Sequence, residues 1–227
     1  MRLSILLAAV PLAAALSFPA VQSASAVTVP SDCDPGSEVD LSGYHLVIGT
    51  DASETLVGTD GPDFICGRLG DDRIVGLGGD DVILGDTATF FGNRQAPGGA
   101  DSFDAGAGDD QVLSGPGDDQ VNGGSGNDFL ALAVGDDTGQ GGLGDDQVIG
   151  GFGTDTVLGG PGQDFLAGGQ GDDLVNGGPG DDFLDGDLPP DESGQPGTDP
   201  NPNSDRCLGA QGYDVAVLCE ATQATEG

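Results

Sequence analysis

Thirteen aspartates set out the chemistry open to this chain: Asp63, Asp72, Asp81, Asp101, Asp110, Asp119, Asp128, Asp137, Asp146, Asp155, Asp164, Asp173 and Asp182. They recur every nine residues, with a single longer step between Asp81 and Asp101. A glycine stands two places before each, and a large apolar residue stands two places after all but Asp137. Short carboxylate arms beside glycine carbonyls form a hard-oxygen donor set, and such sets hold hard divalent cations. A flexible, carbonyl-rich cage suits Ca2+, with roughly six to eight oxygens at longer distances, better than it suits the tight octahedron of Mg2+. Zn2+ would need imidazole or thiolate, and the one histidine, His45, has no ligand cluster beside it in the sequence.

The charge balance agrees with a cation partner. The 227-residue chain carries a formal net charge of −34, from thirty-four Asp and five Glu against five Arg. Generic acidity would use Glu as freely as Asp, so the bias marks turns and short carboxylate arms. A field of this sign repels phosphate, which argues against nucleic acid and anionic membrane surfaces as partners.

The positions around each Asp show what must hold it in place. From Gly141 the chain runs GGLGDDQVI, GGFGTDTVL, GGPGQDFLA, GGQGDDLVN and GGPGDDFLD without a break, a frame of the form G-G-x-G-x-D-x-U-x with U apolar. Read backwards, the frame reaches a first unit at Ala96; the unit Leu132–Gln140 is weak, with Gly139 at the apolar position. An earlier block holds GTDGPDFIC, GRLGDDRIV and GGDDVIL, preceded by Asp40–Ile48 and Gly49–Val57, where His45 and Glu54 replace the Asp. Glycine permits the positive φ of a tight turn, and the x-U-x triplet is too short for a helix and alternates as a strand does. Its middle residue is expected to face inward and its neighbours outward. Repetition of turn and short strand winds into a parallel solenoid whose coils pair only with their neighbours.

This nonapeptide resembles the RTX (repeats-in-toxin, hemolysin-type) calcium-binding repeat family, here in a secreted stand-alone form, over most of residues 40–217. The resemblance implies an all-β, right-handed parallel β-roll with two repeats per coil. It also implies Ca2+ ions in the turns between stacked coils, held by the repeat Asp and backbone carbonyls. The Asp of one unit then works with the Asp two units on, Asp101 with Asp119 and Asp164 with Asp182, with Asp63 and Asp81 so paired in the early block. The Asp at the fifth position of a unit, such as Asp109 or Asp145, is expected to point to solvent. Two apolar side chains per coil make a thin core, and stacked carboxylates repel. Folding is therefore expected to depend on several bound Ca2+ ions, whose affinity for the folded state is folding free energy.

The remaining segments read as export and protection. Residues 1–26 have a basic start at Arg2, an apolar run from Leu3 to Leu16 and a small-residue site at Ala24–Ala26, the signature of a secretory signal peptide cleaved near Ala26–Val27. Four Cys in an exported chain suggest two disulfides, expected as Cys33–Cys66 and Cys207–Cys219 because each pair sits at one end of the repeats. The expected order is a signal peptide at 1–26, an N-terminal cap at 27–39 and a first block at 40–84. An insertion at 85–95 and a second block at 96–185 follow, then a Pro-rich linker at 186–199, terminal repeats with a disulfide cap at 200–219 and a tail at 220–227.

The expected function is a secreted, extracellular, monomeric calcium-binding module with a structural or interaction role, without membrane insertion and without catalysis; a protein or polysaccharide partner stays open. The alternative is a hydrolase hidden in the insertions. The chain has no H-E-x-x-H and no G-x-S-x-G, so an enzyme would need acids outside the frame, such as Glu38, Asp86, Asp191 and Glu192, to converge on a cleft. Phe90 and Phe91 in the insertion are the one apolar candidate for a partner contact.

Overall fold

A computed structural model describes residue 33 and residues 41–86, 98–187, 206–212, 215–217, 219 and 221–224. The signal segment, Glu38, Phe90, Phe91, Asp191, Glu192 and most of the Pro-rich linker lie outside these residues. Every element among the described residues is a strand: eighteen of them, from β1 (His45–Ile48), β2 (Thr55–Val57) and β3 (Asp63–Cys66) to β18 (Ala221–Ala224). Each nonapeptide supplies one strand. Odd-numbered strands form one nine-stranded sheet and even-numbered strands the other, so two repeats make one coil of a parallel β-solenoid.

The register follows the eighteen-residue period. His45 lies beside Asp63, Gln147 beside Phe165 and Thr138 beside Thr156. Across the first break the ladder continues with Arg73 beside Ser102 and Val82 beside Gln111. It also survives the Pro-rich stretch, with Leu174 beside Arg206 and Phe183 beside Val215. The amides of Gly85 and Asp86 donate to Leu113 and Ser114, so both residues still belong to the coil.

Inward residues form one continuous strip. Ile65, Ile74, Ile83, Val112, Leu130, Val148, Val157, Leu166, Val175 and Leu184 are fully buried in a single cluster. The weak unit completes this strip by exchanging two positions. Leu132 occupies the place where other units begin with Gly and is fully buried, while Gly139 leaves the apolar place empty. A Cβ on Gly139 would lie 2.9 Å from Leu132 Cδ1 and 2.9 Å from Val148 Cγ1.

The outer faces of the two sheets differ. On the even sheet Ser102, Asp104, Gln120, Asn122, Thr138 and Gln140 are exposed, as expected of flanking positions. On the N-terminal strands of the odd sheet that expectation fails, though it holds at Gln147 and Phe165: Phe64, Cys66, Val82, Leu84 and Leu113 are buried in a second cluster with Cys33 and Leu41. Cys33 is bonded to Cys66, which holds it on this face. The second disulfide, Cys207–Cys219, lies at the other end, with Cys207 in the inner strip and Cys219 packed against it.

Candidate metal centre

All thirteen repeat aspartates are at most 3% exposed, although each precedes a strand of a thin solenoid. Asp63, Asp81, Asp110, Asp128, Asp146, Asp164 and Asp182 stack in one row beside the odd sheet; Asp72, Asp101, Asp119, Asp137, Asp155 and Asp173 stack beside the even sheet. Rows form because the nine-residue unit places every second Asp at the same turn of the next coil.

One oxygen of each carboxylate has a fixed task. The Asp101 amide donates to Asp119 Oδ1 at 2.8 Å, Asp128 to Asp146 at 2.8 Å, and Asp164 to Asp182 at 3.0 Å. Each carboxylate therefore reaches back one coil and satisfies an amide there. The second oxygen is buried with no hydrogen-bond partner at Asp72, Asp81, Asp101, Asp110, Asp119, Asp128, Asp137, Asp146, Asp155 and Asp164. A buried anionic oxygen without a partner is costly, and here the cost recurs down both rows.

The surroundings of that second oxygen are themselves oxygen. A Cβ on Gly67 would lie 2.7 Å from Asp72 Oδ2 and 3.4 Å from the Gly85 carbonyl, and one on Gly76 would meet Asp81 Oδ2 and the Ala105 carbonyl. Gly123, Gly150 and Gly159 face the same pairing of an Asp oxygen with the next coil's carbonyl. The first glycine of these units thus keeps open a cradle that a side chain would fill. Among the described residues no three ligand-type side chains converge on one point, so a cation here must take main-chain carbonyls as well. Such a set of carboxylate and carbonyl oxygens fits Ca2+.

Electrostatics point the same way. Burial is the largest cause that pushes these carboxyls up, with neighbouring aspartates adding to it and the donated amide opposing it. Asp110 and Asp119 rise to about 6, Asp81, Asp128 and Asp164 to about 7, Asp101 and Asp155 to about 8, and Asp137 to about 9. Asp72 and Asp146 shift in the same direction.

The first coil closes each row differently. His45 Nδ1 donates to Asp63 Oδ1 at 2.6 Å, and the Thr59 amide and hydroxyl donate to Asp63 Oδ2 at 2.5 and 3.1 Å. Glu54 takes the Thr50 amide, and its own amide donates to Asp72 Oδ1 at 2.9 Å. Both departures from the frame therefore engage the ladder from the N-terminal side.

Four segments, residues 48–86, 98–130, 134–166 and 159–188, match the RTX calcium-binding nonapeptide repeat. Together they cover more than half of the chain. The chain belongs to the RTX calcium-binding repeat family. No curated protein matches it. In this RTX roll the fifth position also has a structural task. Asp109 Oδ1 accepts the Asn127 amide at 2.8 Å, Asn127 Oδ1 that of Asp145 at 2.9 Å, and Asp145 Oδ1 that of Gln163 at 2.8 Å. Asp118 and Asp136 do the same in the other row, for Asp136 and Thr154. The expectation that these residues only face solvent missed this exposed ladder. Its signal is the alternation of Asp, Asn, Ser and Thr at that position, all short arms that carry an acceptor.

Proposed function

We propose that this RTX chain is a secreted, monomeric, non-catalytic calcium-binding module whose roll folds as it takes up several Ca2+ ions and then serves as an extracellular structural or interaction surface. The observation that carries this reading is the row of buried Asp oxygens without a hydrogen-bond donor, with a carbonyl of the next coil beside those of Asp72, Asp81, Asp101, Asp128, Asp155 and Asp164. Asp72, Asp81, Asp101, Asp110, Asp119, Asp128, Asp137, Asp146, Asp155, Asp164, Asp173 and Asp182 are the proposed ligands, with the glycine carbonyls. Asp63, whose oxygens already have donors, closes the N-terminal end of its row.

In the turns, bound Ca2+ supplies the positive charge that the chain lacks. The protein's own part is positioning. Paired amides fix one carboxylate oxygen, glycine at the first place of the unit leaves room beside the other, and the inner apolar strip holds adjacent turns in register. Export before folding would meet extracellular calcium, and the signal-peptide reading of residues 1–26 and the two disulfides support that route.

The test is a titration of the mature protein with CaCl2, followed by far-UV circular dichroism, with MgCl2 as control. The expected result is a cooperative gain of strand signal with Ca2+ and little response to Mg2+. A full strand signal in chelator, or an equal response to both ions, would overturn the reading.

A further inference from the structure

Asp86 is the acidic residue outside the frame that the structure brings into the rows. It stands directly after Gly85, at a place where other units carry a second glycine, within the 85–95 segment that interrupts the repeat. It is 1% exposed. Its Oδ2 accepts the Gly99 amide at 2.5 Å, where the frame resumes. Its Oδ1 is buried and has no hydrogen-bond partner. A Cβ on Gly98 would lie 2.6 Å from Asp86 Oδ2 and would also meet the Pro116 carbonyl, while one on Gly85 would lie 3.0 Å from Asp101 Oδ2 and would meet the Ser114 carbonyl.

We propose that Asp86 is a cation ligand: together with Asp101 and the Ser114 and Pro116 carbonyls it forms a divalent-cation site peculiar to the interrupted turn. This inference rests on the calcium-binding reading above and adds to it a carboxylate that the nonapeptide frame does not contain. Three observations support it. The residue is buried where two coils meet, its Oδ1 lacks a donor, and the space at the neighbouring glycines Gly85 and Gly98 is lined by Asp101 Oδ2, Asp86 Oδ2 and the Ser114 and Pro116 carbonyls. The nearby charges of Asp119, Asp72 and Asp71 add to burial in raising its carboxyl to about 7, and Asp86 in turn raises Asp101. A solvent-facing cleft, as the hydrolase alternative would require of Asp86, is not where this side chain sits.

The competing role is a clamp alone, in which Asp86 ties the two ends of the break through the Gly99 amide. Asp86→Asn separates the two, because the amide oxygen still accepts from Gly99 while the negative charge is lost. Bound calcium per chain, measured on the mature protein at saturating CaCl2 by equilibrium dialysis, should fall by one ion in Asp86→Asn, with the strand signal retained. Asp104→Asn, on the exposed outer face of the even sheet, should leave the count unchanged. Asp86→Ala removes both the charge and the acceptor and should show the same loss of one ion, beside a weaker closure of the break. An unaltered count in both Asp86 variants would overturn the site and leave the clamp. Absence of bound calcium in the wild-type chain would instead overturn the underlying calcium reading.

Discussion

Leu132 and Gly139 exchange the volumes that their places in the repeat call for: the leucine side chain fills the interior where the glycine has none, with a Cβ on Gly139 only 2.9 Å from Leu132 Cδ1. Gly139→Val alone should therefore overpack the strip and cost about 1–3 kcal/mol. Leu132→Gly alone should leave a cavity and cost about 2–5 kcal/mol. The double variant restores the frame and should recover most of either loss. Urea midpoints in saturating calcium, compared as a double-mutant cycle, read the coupling; simple additivity would refute the exchange.

Acid should replace calcium in part. A buried carboxyl raised in the folded state binds its proton more tightly there than in the unfolded chain. Its contribution to stability is fully present below the ordinary value of 3.8 and is lost as pH rises through the raised value. Across Asp110 to Asp137 the raised values run from about 6 to about 9. In chelator, lowering the pH from about 9 to about 5 should therefore increase strand signal, while the calcium midpoint should shift to higher concentration because the ion must displace those protons. Circular dichroism against pH, with and without calcium, checks both; a pH-independent apo spectrum would contradict the sign.

The exposed ladder at the fifth position should contribute stability without changing the number of ions. Asp136 accepts the Thr154 amide at 2.8 Å. Asp136→Ala should cost about 0.5–1.5 kcal/mol, and Asp136→Asn, which keeps the acceptor, much less. Bound calcium should be equal in both. A missing ion in Asp136→Asn would make this position a ligand instead.

The two disulfides should act on different surfaces. Cys33→Ser with Cys66→Ser removes the bond that holds Cys33 in the cluster with Phe64, Val82 and Leu84, so it should lower the melting temperature and increase binding of a hydrophobic dye. Removal of Cys207–Cys219 should lower the melting temperature with a smaller dye response, since that pair lies at the end of the inner strip. Chain-entropy arguments put each loss at about 3–4 kcal/mol. Equal dye binding in the two variants would contradict the separate surfaces.

Period and chemistry were legible in the residues, because a nine-residue frame with one Asp and one apolar place leaves few ways to wind. The Asp rows, the strip from Ile65 to Leu184 and both disulfide pairings follow from that frame. What escaped it are features that depend on several repeats at once. The cluster over the odd sheet shows only when Phe64, Cys66, Val82, Leu84 and Leu113 are seen to share a face, which requires knowing that alternate units belong to different sheets. Glycine at 139 looked like a defect because its compensation lies seven residues away, at a place normally reserved for another glycine. Asp86 was assigned to the insertion because nothing in its neighbours shows that the ladder still holds it.

The two breaks in the sequence carry a geometric consequence. Register passes from Arg73 to Ser102, and from Leu174 to Arg206, with the strands still side by side. Chain length and axial length are thereby uncoupled: nine strands per sheet, about 4.8 Å apart, give a rod of about 40 Å whatever is spliced between units. The molecule works as a ruler graduated in repeats, on which extra segments can be mounted at chosen heights without altering the scale.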